Sequence, residues 1–331
     1  MTRDYYIDNI RGLVTLSVVF IHTVFWSGYS YVPEYIRNIA LFIDVPLFFL
    51  LTGMAASMTE NFNPAKQIYK LISYFTVFVF IVNIATGNSK IEYILSALTL
   101  QNAITPIFPV VDGSYWFVPV YCVCIILFSI IKDFNIFSKW LFLLLSLTYF
   151  IIRFYKSVPD NLFFLGSGLD KALFYTSCIL IGFMFYKYKN NKLLPILSVT
   201  SGILLFLIYH FDHNAINLQS YKFPVGLPYV LASFISLFLV LYGIGLKSKS
   251  FLTYIGRNSL FFYMSQGVSS SLIYYVIPHI NVPYIYKLII IFSINLMLSL
   301  LIGLAIIQLT NILTTGTLKI KKAINRQLQI K

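Results

Sequence analysis

The sequence predicts an all-α fold: a polytopic transmembrane helix bundle of about ten spans with no separate soluble domain. Three observations carry that expectation. Of the 331 residues, 59% are hydrophobic and 11% are charged, whereas a soluble domain carries about 25% charged residues. Mean hydropathy is +0.81. Apolar runs recur along the whole chain, many of them close to the roughly 17–25 residues that cross a bilayer as a helix. Lipid cannot hydrogen-bond backbone groups, so such runs should be helical.

In order, the expected spans lie near 10–27, 37–57, 67–86, 114–131, 137–153, 173–188, 193–210, 228–246, 254–277 and 285–313. In the second, "FIDVPLFFLLTGMAAS" places Asp44 and Pro46 at one end. Proline loosens a helix, and the small residues that follow permit close helix contact. The fourth opens on "DGSYWFVPVYC", with Tyr115 and Trp116 as interfacial anchors. The ninth begins "YIGRNSLFFYMSQG", with Arg257, Asn258 and Ser259 at its start and Gln266 further in. The stretch 91–111 contains Pro106, Pro109 and the polar "TLQNAIT" and reads as re-entrant or interfacial rather than as an eleventh span. The first apolar run has no A-x-A-type cleavage site, so no cleavable signal is expected.

The net charge of +13 invites a nucleic-acid reading, but its distribution argues for topology. With the N-terminus inside, seventeen of the 24 Lys and Arg residues fall on the cytoplasmic side and seven outside. A bias of this kind orients membrane proteins. The basic tail, about 317–331, suits anionic headgroups. No nucleic-acid partner is expected. Cys122, Cys124 and Cys178 all fall inside spans without metal-ligand spacing and read as small core residues. His210, His213 and His279 form no ligand pattern, so no metal is expected.

The informative segment is "DNIRGLVTLSVVFIHT" (8–23), which carries ionisable groups on an apolar helix. Arg11 and His22 are eleven residues apart, which leaves them about 20° apart around a helix and roughly 16 Å apart along it. Asp8 and Thr15 join the same stripe. Charged groups at such depth should face the bundle interior or a wet cavity. One reading is structural, with Asp8 and Arg11 as an i,i+3 ion pair and His22 as a hydrogen-bonded core residue. The other is chemical. Imidazole is the usual general base near neutral pH, and a guanidinium fork suits phosphate.

Four stretches in series, "YYIDNIRGLVTLSVVFIHT", "VPLFFLLTGM", "GSYWFVPVY" and "YIGRNSLFFYMSQ", resemble membrane-bound acyltransferase family 3, and within it the fucose 4-O-acetylase-like branch. The resemblance spans most of the chain, so 1–331 reads as a single integral-membrane acyltransferase domain. It implies transfer of an acyl group, most often acetyl from acetyl-CoA, to a carbohydrate hydroxyl. His22 would be the catalytic histidine and Arg11 its companion on the donor side. Two positions depart from the family pattern: Gln67 replaces a basic residue ahead of Lys70, and Gln266 stands where many members carry histidine.

The expected function is a membrane O-acyltransferase of the cell (plasma or inner) membrane, acting on a sugar hydroxyl of a cell-envelope or exported glycan. Acyl-CoA is its donor substrate, and no cofactor is held permanently. The acceptor carbohydrate is free or lipid-linked, and the oligomeric state is left open. His22 acts as base or as acyl relay. Arg11, Lys70 and Arg257 hold the CoA phosphates. Asp8, Asp44, Trp116, Asn258, Ser259 and Gln266 are candidate polar contacts. The alternative is a transporter or flippase of a polar or lipid-linked substrate, since buried ionisable groups suit that equally. A non-catalytic assembly partner is a third reading.

The charge bias places both termini in the cytoplasm. A reporter active only outside the cytoplasm, fused after Lys331, should therefore be silent. An active fusion would overturn the ten-span topology.

Overall fold

The computed structural model describes residues 4–87, 91–92, 108–114, 116–155, 163–164, 167–188, 193–211, 217–243 and 247–328. Helix α1, Tyr5–His22, starts at Asp4, whose carboxylate accepts the Tyr6 N–H at 2.9 Å. It runs directly into one π-helical turn, Thr23–Ser27. The expected span 37–57 is not continuous. It divides into α2, Glu34–Ala40, and α3, Pro46–Ser57. Pro46 has no N–H to continue a helix and sits at the start of α3, where that loss is harmless. At about 1.5 Å per residue, the 12 residues of α3 rise roughly 18 Å, well short of a hydrocarbon core about 30 Å thick.

Helix α4, Pro64–Ala85, is capped by Asn63, which accepts the Lys66 N–H. The fourth expected span also breaks, into α5, Pro109–Ser114, and α6, Phe117–Ile131, with Trp116 at the junction. Tyr115 and most of 91–111 lie outside the described residues. Helix α7 is Ile136–Tyr155. A two-residue antiparallel ladder, Phe163–Phe164 with Ser167–Gly168, leads into α8, Leu169–Lys187. Then come α9, Leu193–Phe211, and α10, Leu227–Gly243. The expected span 254–277 divides at Asn258 into α11, Phe251–Arg257, and α12, Ser259–Val276. Helix α13, Tyr284–Leu328, ends the described chain.

Among the described residues, six helical segments are long and apolar enough to cross a membrane: Tyr5–Ser27, Pro64–Ala85, Ile136–Tyr155, Leu169–Lys187, Leu194–Phe211 and Tyr284–Ile312. Three more are apolar but shorter, Pro46–Ser57, Phe117–Ile131 and Leu227–Leu237. Helix α12 has 18 residues but carries Ser265, Ser269, Ser270 and Ser271, all buried. Among the described residues six segments meet length and composition together, against about ten expected from hydropathy. The breaks before Pro46 and Phe117 and the serines of α12 set three expected spans below that mark, and α10 is described only as far as Gly243.

Helix α8 sits at the centre, with 72% of its apolar window buried, against 17% for each of α7 and α9. The latter two present Leu144, Leu145, Ile203 and Phe206 outward. Helix α3 packs along α8 at backbone contact. A Cβ at Gly53 would overlap the Ile179 carbonyl oxygen, and one at Gly182 would overlap that of Leu50. Above this contact Phe49 stacks on Tyr175, ring centroids 4.5 Å apart. Cys122, Cys124 and Cys178 are free thiols buried in this core.

Gly53→Val should lower the thermal midpoint of the detergent-solubilised protein, since overpacking costs about 1–3 kcal/mol and the obstacle is backbone. Gly202→Ala is the control. Its Cβ would meet only the Ile235 side chain, at 3.9 Å, and the midpoint should not move.

Candidate functional site

Two cavities sit at opposite ends of α1, and the first is built by the contact of α1 with α11. Gly12 and Gly256 allow this contact: a Cβ on Gly12 would overlap the Leu252 carbonyl oxygen, and one on Gly256 that of Asp8. Asn9, fully buried, locks the register. Its amide donates to the Ser248 carbonyl at 2.8 Å, and its oxygen accepts from Ser250 (2.8 Å) and Thr253 (2.6 Å). The buried Asp8 carboxylate meets Arg257 Nε at 3.2 Å, so α11 supplies an acidic-stripe partner that the α1 sequence alone could not reveal.

Arg11 and Arg257 consequently line one cavity of about 470 Å³. Lys70 enters it from the first turns of α4, and Asn258 and Ser259 from the break between α11 and α12. Gln67, at the position noted as a departure, lines it as well. The Lys70 ammonium lies 5.8 Å from the Tyr74 ring centroid. The far wall carries Thr52 and Tyr121. The Thr52 hydroxyl donates to the Phe48 carbonyl at 2.8 Å and lies within hydrogen-bonding reach of the Tyr121 hydroxyl. Three cations around one opening suit a ligand with several phosphate oxygens, and the two guanidinium forks bind such oxygens in pairs.

His22 ends α1 and precedes the π turn, a geometry that recurs at functional sites. The turn is pinned from behind. Thr23 Oγ donates to the Val19 carbonyl (2.8 Å) and accepts from Asn295 (2.9 Å), and Ser269 donates to Asn295 (2.7 Å). The imidazole is half-buried. Its Nδ1 is enclosed and has no hydrogen-bond partner among the described residues, while the residue lines the second cavity, of about 650 Å³. Trp26, Arg37, Trp116, Gln219 and Lys222 line it too. No described residue lines both cavities.

Asp44 lies beside this cavity in the break between α2 and α3. It is 2% exposed and bonds Lys222 Nζ at 2.7 Å and the Tyr229 hydroxyl at 2.7 Å. Both Asp44 and Lys222 act electrostatically on His22. Trp116 packs edge-on against Phe223, centroids 5.0 Å apart. Gln266 is fully buried, lines neither cavity, and its amide has no partner among the described residues.

The structure thus brings Arg11, Lys70, Arg257, Asn258 and Ser259 together and sets His22 and Trp116 apart from them, with Asp44 beside His22. A family model described as an acyltransferase domain matches residues 4–307. The chain belongs to acyltransferase family 3. No curated protein and no solved structure matches it. With six helices able to span a bilayer, it is a membrane acyltransferase.

Sequence reasoning missed several residues that this acyltransferase places at the two cavities. Thr52 and Tyr121 read as ordinary packing residues of apolar spans. Arg37 and Lys222 read as outer-loop cations, and Tyr229 as one of 25 tyrosines. Lys222 carried a weak signal, because a buried Asp44 requires a counter-charge and few basic residues lie on its side of the chain.

Lys222→Met leaves Asp44 buried with its charge uncompensated and should cost about 3–5 kcal/mol. Thermal unfolding in detergent should show a lowered midpoint, and the double variant Asp44→Asn/Lys222→Met should recover most of it. Equal loss in the single and double variants would mean that the ion pair is not what Lys222 contributes.

Proposed function

We propose that the protein is an O-acyltransferase that takes acetyl from acetyl-CoA and transfers it to a sugar hydroxyl of a cell-envelope or exported glycan, in the manner of the fucose 4-O-acetylase-like branch. The observation that carries this reading is the pair of separate cavities at the two ends of α1, one cationic and one holding a histidine among aromatic and amide side chains. In this reading the plasma membrane is crossed about ten times with both termini cytoplasmic. The arginine cavity then opens to the cytosol, where acyl-CoA is made, and the histidine cavity opens outward, where the glycan is.

Arg11, Lys70 and Arg257 hold the CoA phosphates. From Arg11 to His22 is about 16 Å along the helix, a distance suited to the extended pantetheine arm. The arm runs beside Thr52 and Tyr121, so the thioester arrives near His22. His22 takes the proton of the acceptor hydroxyl as that oxygen attacks the thioester carbonyl; the carbon–sulfur bond breaks, and the CoA thiolate takes up a proton. In the relay form of the same reaction, the imidazole nitrogen attacks the thioester carbonyl and the carbon–sulfur bond breaks, releasing CoA as its thiol with the imidazole proton. The acceptor hydroxyl then attacks the acyl-imidazole, the carbon–nitrogen bond breaks, and the hydroxyl proton returns to the imidazole. Asn258 and Ser259 lie at the phosphate end rather than beside His22, which suits them to the donor and not to the oxyanion. Asp44, Lys222 and Tyr229 fix the field around the imidazole.

His22→Ala should insert normally and lower acyl transfer by about 10²–10⁴-fold, the usual loss for a general base. Mass spectrometry of surface glycans from cells with and without the gene should differ by one acyl group, and His22→Ala cells should resemble cells lacking it. Arg11→Ala should raise the acetyl-CoA concentration needed, with Arg11→Lys intermediate because the charge remains but the fork is lost. Wild-type glycan acylation by well-expressed His22→Ala would sink this reading and favour transport.

A further inference from the structure

Resting on that reading, we infer that the acceptor glycan carries a negative charge near the hydroxyl to be acylated, and that Arg37 recognises it as a specificity-determining residue. The histidine cavity has two cations, and they are not equivalent. Lys222 is neutralised by Asp44 at 2.7 Å. Arg37, on α2, forms no ion pair among the described residues. Its Nε is enclosed without a hydrogen-bond partner, and its guanidinium lies 4.7 Å from the Tyr29 ring centroid.

A guanidinium held against an aromatic ring beside an open cavity, with no counter-ion among the described residues, carries a charge that an outside anion can balance. Its Nε is enclosed, so the planar face of terminal amino groups is the part that matches two oxygens of one carboxylate or phosphate. A neutral sugar hydroxyl would leave the charge unbalanced.

The other walls fit a sugar ring carrying such a group. Trp26 and Trp116 offer flat faces, and Gln219 offers an amide for ring hydroxyls. Glu34, one turn before Arg37, also lines the cavity and is exposed, and it makes no ion pair among the described residues. It sits on the solvent side, where its charge is screened more strongly than one at an enclosed position. The shared chemistry is a pair of anionic oxygens on a sugar, and a uronic acid and a sugar phosphate both provide it.

Two of the three tryptophans, Trp26 and Trp116, line this cavity, so intrinsic fluorescence reports its occupancy. The full chain, purified in detergent, is titrated with D-glucuronate, D-glucose 6-phosphate and D-glucose. Either acid should change the fluorescence at a concentration at least about tenfold below that needed for glucose, since charge-assisted bonds are roughly twice as strong as neutral ones. The tighter acid identifies the group as carboxylate or phosphate.

Arg37→Gln should remove that preference, and Arg37→Lys should keep part of it. Acetyl-CoA binding at the arginine cavity should be unaltered in both, which verifies the fold. Equal binding of glucose and both acids by the unaltered protein overturns the inference, as does failure of either acid to bind. An unchanged acid preference in folded Arg37→Gln also overturns it. Binding here does not require catalysis, so His22→Ala should retain the preference even if the acyl-transfer reading fails.

Discussion

The close contact between α1 and α11 is the interaction on which both cavities depend. Gly12 and Gly256 let two backbones meet without side chains between them, and Asn9 makes three hydrogen bonds across that seam. Held this tightly, Asp8 reaches Arg257, and Arg257 and Arg11 come to face one opening. The same rigid helix sets His22 about three turns away. Loosening this seam would blur the distance between the cationic cavity and the imidazole.

A second constraint is the cost of charge inside an apolar bundle. The chain meets it by interrupting helices. Asp44 lies in the break before Pro46 and is served by Lys222 and Tyr229, from segments that arrive nearly two hundred residues later in the chain. Asn258 divides α11 from α12 and turns Arg257 and Ser259 toward the arginine cavity. The π turn after His22 is held by Thr23 and Asn295. Each interruption puts a polar group at a cavity or beside one, and the first also leaves α3 shorter than a span requires.

The two cavities differ in the number of cations they gather. In the arginine cavity three converge from α1, α4 and α11, with Arg257 paired to Asp8. In the histidine cavity, one cation is internally neutralised and the other is stacked on an aromatic ring with its Nε–H unspent. That asymmetry gives the acceptor side its own selectivity, independent of the donor.

The sequence by itself determined what is local and periodic. The apolar runs specified helices, and the eleven-residue spacing put Arg11 and His22 on one face of α1. Proline 46 and "GRN" marked the places where helices stop. Arg11, Lys70 and Arg257 were legible as basic groups near the ends of spans, and they do share a cavity. What it could not determine is which distant groups meet. Helical spacing makes Asp8 a neighbour of Arg11 but could not show that its carboxylate also bonds Arg257, which follows because Gly12 and Gly256, far apart in the chain, bring two helices into contact. Lys222, Tyr229 and Arg37 carry no pattern in one dimension. Their roles arise when loops and short helices fold over the end of α1, where burial selects the counter-charge and leaves one guanidinium without one.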